Sequence, residues 1–599
     1  MSGFAVRAVV QKMYKKWFVK REYDIGMHKD TKNKIFQIFL IWVVLGLATW
    51  LRFYNLADRP PVLNPDEVSI AYNALLLSKT GLDEWQEPYP LILRAFGDQK
   101  IGGYTYLVVL QFLVFGISEW SVRFPAAIAG LGILVLSGWL FYRLPSTKKE
   151  AGSIALIVMT LLAIQPVFIW YSRSAFEATV SLFLLLITIV VVFTFGNRTE
   201  NQQRLQTIAR TTLILTVMAA TMAGAIFLYN APLVWIPFVF LPVPVWYGIT
   251  RWKTWLPIVL TGALVWGVSI VLLSNLTTQK SKITLFGDPH IIYEQQRYYL
   301  QFESQVQRTL LGNQYVFYGR RMAQHFFESL SPSYVVDNLD GHPWHVYPRT
   351  GYLTAPIYWL GWIGLFSSFG TMYKALAKKK RIGTVIFRSK TQLLMGYLTF
   401  TSLIPALITV NAPHATRTLF FFLGWTYFAA HGARYVVHVA KVCIQWSMPA
   451  RVYLLERYKK LSIRVFVYGI FVGLLAAVIA VPSAQYAYQV VVAPYEFSDW
   501  GGGVRAGFPQ MLEQIERTYS ADTRVTIVDP QGFLYIAIAW YQRLEPTDFW
   551  ENVHREPPDT INFTYGSRMG RYDFVTSYGA ANNRVPLLYW DDAGWTLKE

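Results

Sequence analysis

Charge is what this 599-residue chain has least of: Asp, Glu, Lys and Arg make up 15% of it, against 53% hydrophobic residues. A soluble protein carries roughly 25% charge. The deficit is gathered into uncharged runs of the length needed to cross a bilayer, which excludes a soluble globular protein. Cysteine is all but missing, and the lone Cys443 can form neither an internal disulfide nor a thiolate metal cluster. No Gly-rich loop follows a strand in the manner of a nucleotide-binding fold, and there is no internal repeat or low-complexity segment. The net charge of +19 would suit a nucleic-acid partner. The basic residues gather in short loops between apolar runs, however, as positive-inside sorting requires, so no nucleic acid is expected.

What is present is a series of eleven apolar runs: 35–51, 124–142, 151–172, 178–195, 211–229, 232–250, 255–276, 352–373, 391–411, 418–433 and 465–483. Pro232 splits the long stretch 211–250, because proline cannot continue helical hydrogen bonding. Ile35–Leu51 lacks a small-residue cleavage site and reads as a retained anchor behind a basic N-terminal segment, 1–34. A twelfth run, 101–118, decides the topology. If it lies in the interface, the loops on the N-terminal side of the membrane hold 22 Lys and Arg in 75 residues, against 7 in the equally long loop 277–351. The bias then places the N-terminus in the cytoplasm, and the loops 52–123 and 277–351 and the tail outside. The expected organisation is a membrane domain over 35–483 and a small exterior α/β domain over 484–599. In the latter, 524–529, 574–578 and 585–590 have strand character and 531–543 helical character.

Three polar clusters fall on the exterior face. Asp66 and Glu67 follow the first span directly, with Asp83-Glu84 and Phe96-Gly97-Asp98-Gln99-Lys100 beyond them. Adjacent carboxylates there could serve as a general base or hold a divalent metal, or form only an acidic loop. Arg173 and Glu177 sit in a tight turn between two spans, where charge is expensive unless paired or functional. His414 and Arg417 lie in a third outer turn, and guanidinium groups there suit a lipid phosphate. His342, His345 and Arg349 precede the next span. The two histidines lack the further ligands that a zinc site needs.

The stretch Asn64–Arg123, with YSRSAFEA at 171–178, GHPWHVYPRTGYL at 341–353 and PHATRTL at 413–419, resembles the bacterial protein O-mannosyltransferase-like glycosyltransferases. These share the GT-C fold with the aminoarabinose transferase of lipid A. The tail segments WGGGVRAGFPQMLEQI and RVTIVDPQGFLYIAIAWY look like the exterior tail of such enzymes. The resemblance implies an all-α polytopic membrane protein with interfacial helices and an inverting sugar transfer from a polyprenyl-phosphate donor. The acceptor would be a hydroxyl of protein, lipid or glycan, at a bacterial inner membrane or plasma membrane. By position Asp66 matches the expected base, with Glu67 as its partner and Glu177 as a second acidic residue. Arg173, Arg417, Lys100 and Arg349 are the candidates for the lipid phosphate, with His414 and His345 beside them. No cofactor is required, although Asp66, Glu67 and Glu177 could hold a divalent metal. Where relatives often carry proline before the interfacial helix, this chain has Gly102-Gly103. The rival reading, a transporter or flippase of lipid-linked glycans, calls for mid-span charges and inverted repeats that the sequence does not display.

Overall fold

The computed structural model describes residues 35–96, 98–144, 148–194, 204–337, 345–347, 350–377, 389–447, 463–493, 504–558, 563–581, 586–591 and 594–599. A helix occupies each of the eleven expected apolar runs. Among the described residues six are long and apolar enough to cross a membrane: Ile35–Phe53, Glu119–Arg143, Glu177–Thr194, Ile208–Leu228, Trp252–Leu272 and Val465–Val491. A seventh counts if Ala151–Ile164 and Pro166–Arg173, bent by 58° at Gln165, form one span. The bend follows from Pro166, which has no N–H to give to the preceding turn. Length and composition alone thus single out six or seven of the eleven runs among the described residues. The remaining runs form shorter or more polar helices, among them Ala231–Phe240, Ala355–Ala377, Lys390–Thr401 and Leu419–Ser447.

The ambiguous run 101–118 becomes the helix Gly103–Phe115. Thirteen residues rise only about 20 Å, short of the roughly 30 Å hydrocarbon core. The helix buries Tyr104, Val108 and Phe112 and exposes Leu110, Leu113 and Val114. Its glycine start is a packing requirement, because a Cβ on Gly103 would lie 2.1 Å from the carbonyl oxygen of Phe227.

Between the first span and this helix lie Pro65–Thr80 and a two-stranded hairpin, β1 (Ile92–Ala95) and β2 (Asp98–Ile101). The C-terminal region holds six further strands: β3 (Val525–Val528), β4 (Val553–Arg555), β5 (Gly566–Met569), β6 (Tyr572–Val575), β7 (Leu587–Asp591) and β8 (Gly594–Lys598). They form one sheet in the order β4-β5-β6-β3-β7-β8, with β3 parallel to both neighbours. The expected strands and helix of the tail are present, and β4, β5 and β8 are additional. The tail packs on the membrane part through Leu534–Tyr541: the Leu63 N–H donates to the Tyr541 hydroxyl at 2.9 Å, and Tyr72 donates to the Leu544 carbonyl at 3.1 Å. Trp540 donates to Glu119 at 2.9 Å and stacks on Phe112.

Three fully buried arginines tie the spans together. Arg52 donates to the carbonyls of Ala48, Leu162 and Ala163, joining the first span to the bend. Arg123 donates to the carbonyls of Leu56, Ala57, Pro60 and Val62 and to Glu67. Removing one partner of such a buried pair leaves the other charge uncompensated. Arg123→Ala is therefore expected to cost about 3–5 kcal/mol, read as a lowered melting temperature of the purified protein in detergent. A melting temperature unchanged from wild type would mean that the loop 56–62 is held by other contacts.

Candidate active site

Asn64 caps the helix Pro65–Thr80 in a capping box: its side chain accepts from the Glu67 N–H and Glu67 accepts from the Asn64 N–H, both at 3.0 Å. Glu67 also accepts from Arg123 Nε at 3.1 Å and from the Ala175 N–H at 2.7 Å. This carboxylate is buried and accepts a fourth contact, from Arg123 Nη2 at 3.4 Å, so it anchors the local structure where its position suggested a partner base. Asp66, one residue earlier, is about a third exposed and paired with Lys100.

Lys100 comes from β2, where the two-residue period of a strand places Asp98 on the same face. Asp98 takes both its oxygens to Lys280, at 2.6 and 2.7 Å, from the helix Ser274–Ser281. Glu177, at the start of its span, lies within electrostatic reach of Lys100, Asp66 and Lys280. Burial opposes the charge on Lys100, but Asp66, Glu177 and Asp98 outweigh it and hold the ammonium above its ordinary range. The result is a partly exposed cluster of alternating charges drawn from four separate elements.

Arg417, in the turn Thr416–Thr418, donates to Thr409 at 2.6 Å. It also faces Tyr229, which is within reach of Asp66 and Glu177 as well. Below it lies a small, mainly apolar cavity of about 40 Å³ lined by Ser181, Tyr229, Trp235, Thr416, Arg417 and Phe420. His345 and His414 are buried side by side with ring centroids 4.8 Å apart, and His345 stands edge-on to Phe176. Thr416 links them to Tyr171 through contacts of 3.4 and 2.9 Å. The three outer turns singled out in the sequence thus meet.

Arg173 is a correction. Its guanidinium donates to the carbonyls of Leu51, Tyr54, Asn55 and Arg59 at 2.9 to 3.3 Å, fully buried, so it closes the end of the first span instead of facing a phosphate. Arg349 and His342 lie outside the described residues. Among the described residues no three of His, Cys, Asp and Glu come together in a way that could hold a metal ion. Asp66, Glu67 and Glu177 accordingly do not form a ligand set, since Glu67 is turned to Arg123. Asp98 stands in the first polar cluster of the sequence but has no role of its own there, and Lys280, Arg123 and Tyr229 are not singled out; strand alternation next to Lys100 marks Asp98, and nothing local marks the others.

The second Asp-Glu pair is structural too. Asp83 accepts from the N–H groups of Trp85 and Glu87. Glu84 is buried beside Arg555 of the tail, whose guanidinium lies 3.9 Å from it and 4.2 Å over the Trp85 ring. Burial pushes the Glu84 carboxyl up to about 7; Arg555 opposes the shift and Asp83 adds to it, with Trp85 and Tyr535 also facing the group. A carboxyl raised from 4.5 in this way gives stability that is complete below its unfolded value and is lost as pH rises through 7. Glu84→Gln should therefore melt higher than wild type at pH 8, with a smaller difference at pH 5. A variant that melts lower at pH 8 would show that the charged form is the one required.

No protein-family profile matches the chain. Over 137 residues it is 33% identical to the undecaprenyl phosphate-alpha-4-amino-4-deoxy-L-arabinose arabinosyl transferases of Aeromonas hydrophila and Aeromonas salmonicida. The match covers 22% of this chain and 24% of each relative, so the chain spans about a quarter of the length of the curated relatives it matches. Among solved structures it is similar to ArnT from Cupriavidus metallidurans in the apo state, at 14% identity and TM-score 0.46 over 85% of each chain. The same protein bound to undecaprenyl phosphate gives 14% identity and TM-score 0.45 over 84% of each chain. The archaeal oligosaccharyltransferase AglB from Archaeoglobus fulgidus, in complex with an inhibitory peptide and a dolichol-phosphate, gives 15% and 0.46 over 85% of this chain and 64% of that one.

Proposed function

We propose that this chain is a membrane glycosyltransferase of the GT-C type that moves a sugar from a polyprenyl-phosphate donor to an acceptor hydroxyl, with inversion, on the extracytoplasmic face. The observation that carries the reading is the partly exposed Asp66–Lys100 pair, set among Glu177, Asp98 and Lys280. The sequence resemblance and the local identity to arabinosyl transferases acting from undecaprenyl phosphate support it. The same reading takes the shorter helices as crossings, eleven in all, with the N-terminus cytoplasmic and the tail outside. It distinguishes the membrane region 35–483 from the tail 484–599.

In this reaction the acceptor oxygen attacks the anomeric carbon as the bond from that carbon to the phosphate oxygen breaks. The hydroxyl proton passes to Asp66, and the phosphate leaves with the bonding electron pair. Lys100 exchanges Asp66 for the departing phosphate, which frees the carboxylate as its proton arrives. Cations aimed at the developing charge stabilise the transition state more than the ground state. Arg417, which lines the small apolar cavity, supplies the second positive group. Glu177 would orient the acceptor or the sugar. No cofactor is needed for these steps.

The test is transfer of radiolabelled sugar from short-chain polyprenyl-phosphate donors, comparing wild type with Asp66→Asn. A general base contributes about 10²–10⁴-fold, so Asp66→Asn should lose that much in kcat with normal expression and melting temperature. Full activity in the variant would move the base to Glu177. Absence of transfer by wild type from every donor would overturn the reading and direct attention to movement of lipid-linked glycans across the membrane.

A further inference from the structure

The hairpin that carries Asp98 and Lys100 turns on a residue unsuited to the position. Ala95 pairs with Asp98, so Phe96 is the first of two connecting residues, and its φ is +56°. That left-handed conformation is readily adopted by Gly or Asn and is an outlier for a bulky side chain. Such an outlier persists where surrounding structure over-determines it. Here the surroundings are the distant tail. The Phe96 ring is buried against Phe533, with centroids 4.1 Å apart, and stands edge-on to Tyr535 at 6.3 Å. Its carbonyl accepts from the Thr564 N–H at 2.9 Å. The other flank is gripped as well: Trp85 donates to the Arg94 carbonyl at 3.1 Å, and Arg555 of the tail lies over the Trp85 ring.

We propose that the C-terminal region is a working part of the site, in which Phe533 and the Thr564 amide hold Phe96 in its turn and so aim Asp98 and Lys100 at Lys280 and Asp66. Phe533 is then a positioning residue acting through Lys100, and the tail is more than an exterior appendage. The catalytic consequence rests on the glycosyltransferase reading; the structural one does not.

The experiment has two arms on the purified full-length protein in detergent. In the first, hydrogen–deuterium exchange of the peptide spanning 92–101 is compared among wild type, Phe533→Ala, Phe533→Tyr and Trp595→Ala. Trp595 packs on Phe508 and Trp590 within the tail and serves as the control for general loosening. Phe533→Ala should speed exchange across 92–101, Phe533→Tyr should restore protection, and Trp595→Ala should leave it unchanged. Unchanged exchange in Phe533→Ala, or equal acceleration by Trp595→Ala, overturns the proposal. In the second arm, sugar transfer is measured for Phe533→Ala in wild-type and Lys100→Ala backgrounds. A residue that acts through another gives non-additive losses. Phe533→Ala should lower kcat by about tenfold, as expected for a displaced catalytic group, and change little once Lys100 is gone. Equal losses in both backgrounds overturn the action through Lys100. If wild type transfers no sugar, the function reading fails while the exchange arm still decides the structural proposal.

Discussion

The buried contact between Glu67 and Arg123 sets the geometry on which the site depends. Arg123 gathers four carbonyls of the loop 56–62, so the chain leaving the first span has a fixed path. Glu67 then fixes the start of the helix Pro65–Thr80 and the N–H of Ala175 in the turn before Glu177. Successive residues of a helix point about 100° apart. With Glu67 held inward, its neighbour Asp66 is set toward Lys100 and stays partly exposed. One of two adjacent carboxylates is thus consumed as structure, and in the proposed transfer this leaves the other as the base.

The charged groups of the site neutralise one another in pairs, Asp66 with Lys100 and Asp98 with Lys280. At the edge of an apolar slab unpaired charge is costly, and this is the arrangement a resting site requires. It also means that an anionic ligand must compete with a carboxylate for each ammonium. In the proposed transfer, that competition couples donor binding to release of the base. Arg417 differs in having a neutral partner, Thr409, so in the proposed transfer it would meet the phosphate without first losing a salt bridge.

Several features were legible in the sequence because they follow from local pattern. The apolar runs became helices, and 101–118 became the short helix Gly103–Phe115. The strand and helix of the tail formed near their expected positions. Asp66, Lys100, Glu177, His345, His414 and Arg417 converge from outer turns that the sequence placed on one face. Arg173 and Glu67 were misassigned for one shared reason. A charged residue near the membrane must be paired or functional, and sequence does not reveal which backbone carbonyls or amides stand ready to pair with it.

Composition and periodicity by themselves determined that this is a polytopic helical membrane protein with polar outer turns, since bilayer thickness and side-chain period act on short stretches. Tertiary structure alone decided which charges became scaffold and which remained partly exposed. It also brought Lys280 to Asp98 across 182 residues and Phe533 onto Phe96. The physical reason is that desolvation and pairing are properties of a location in the fold, and two residues far apart in sequence acquire a common location only when the chain has packed.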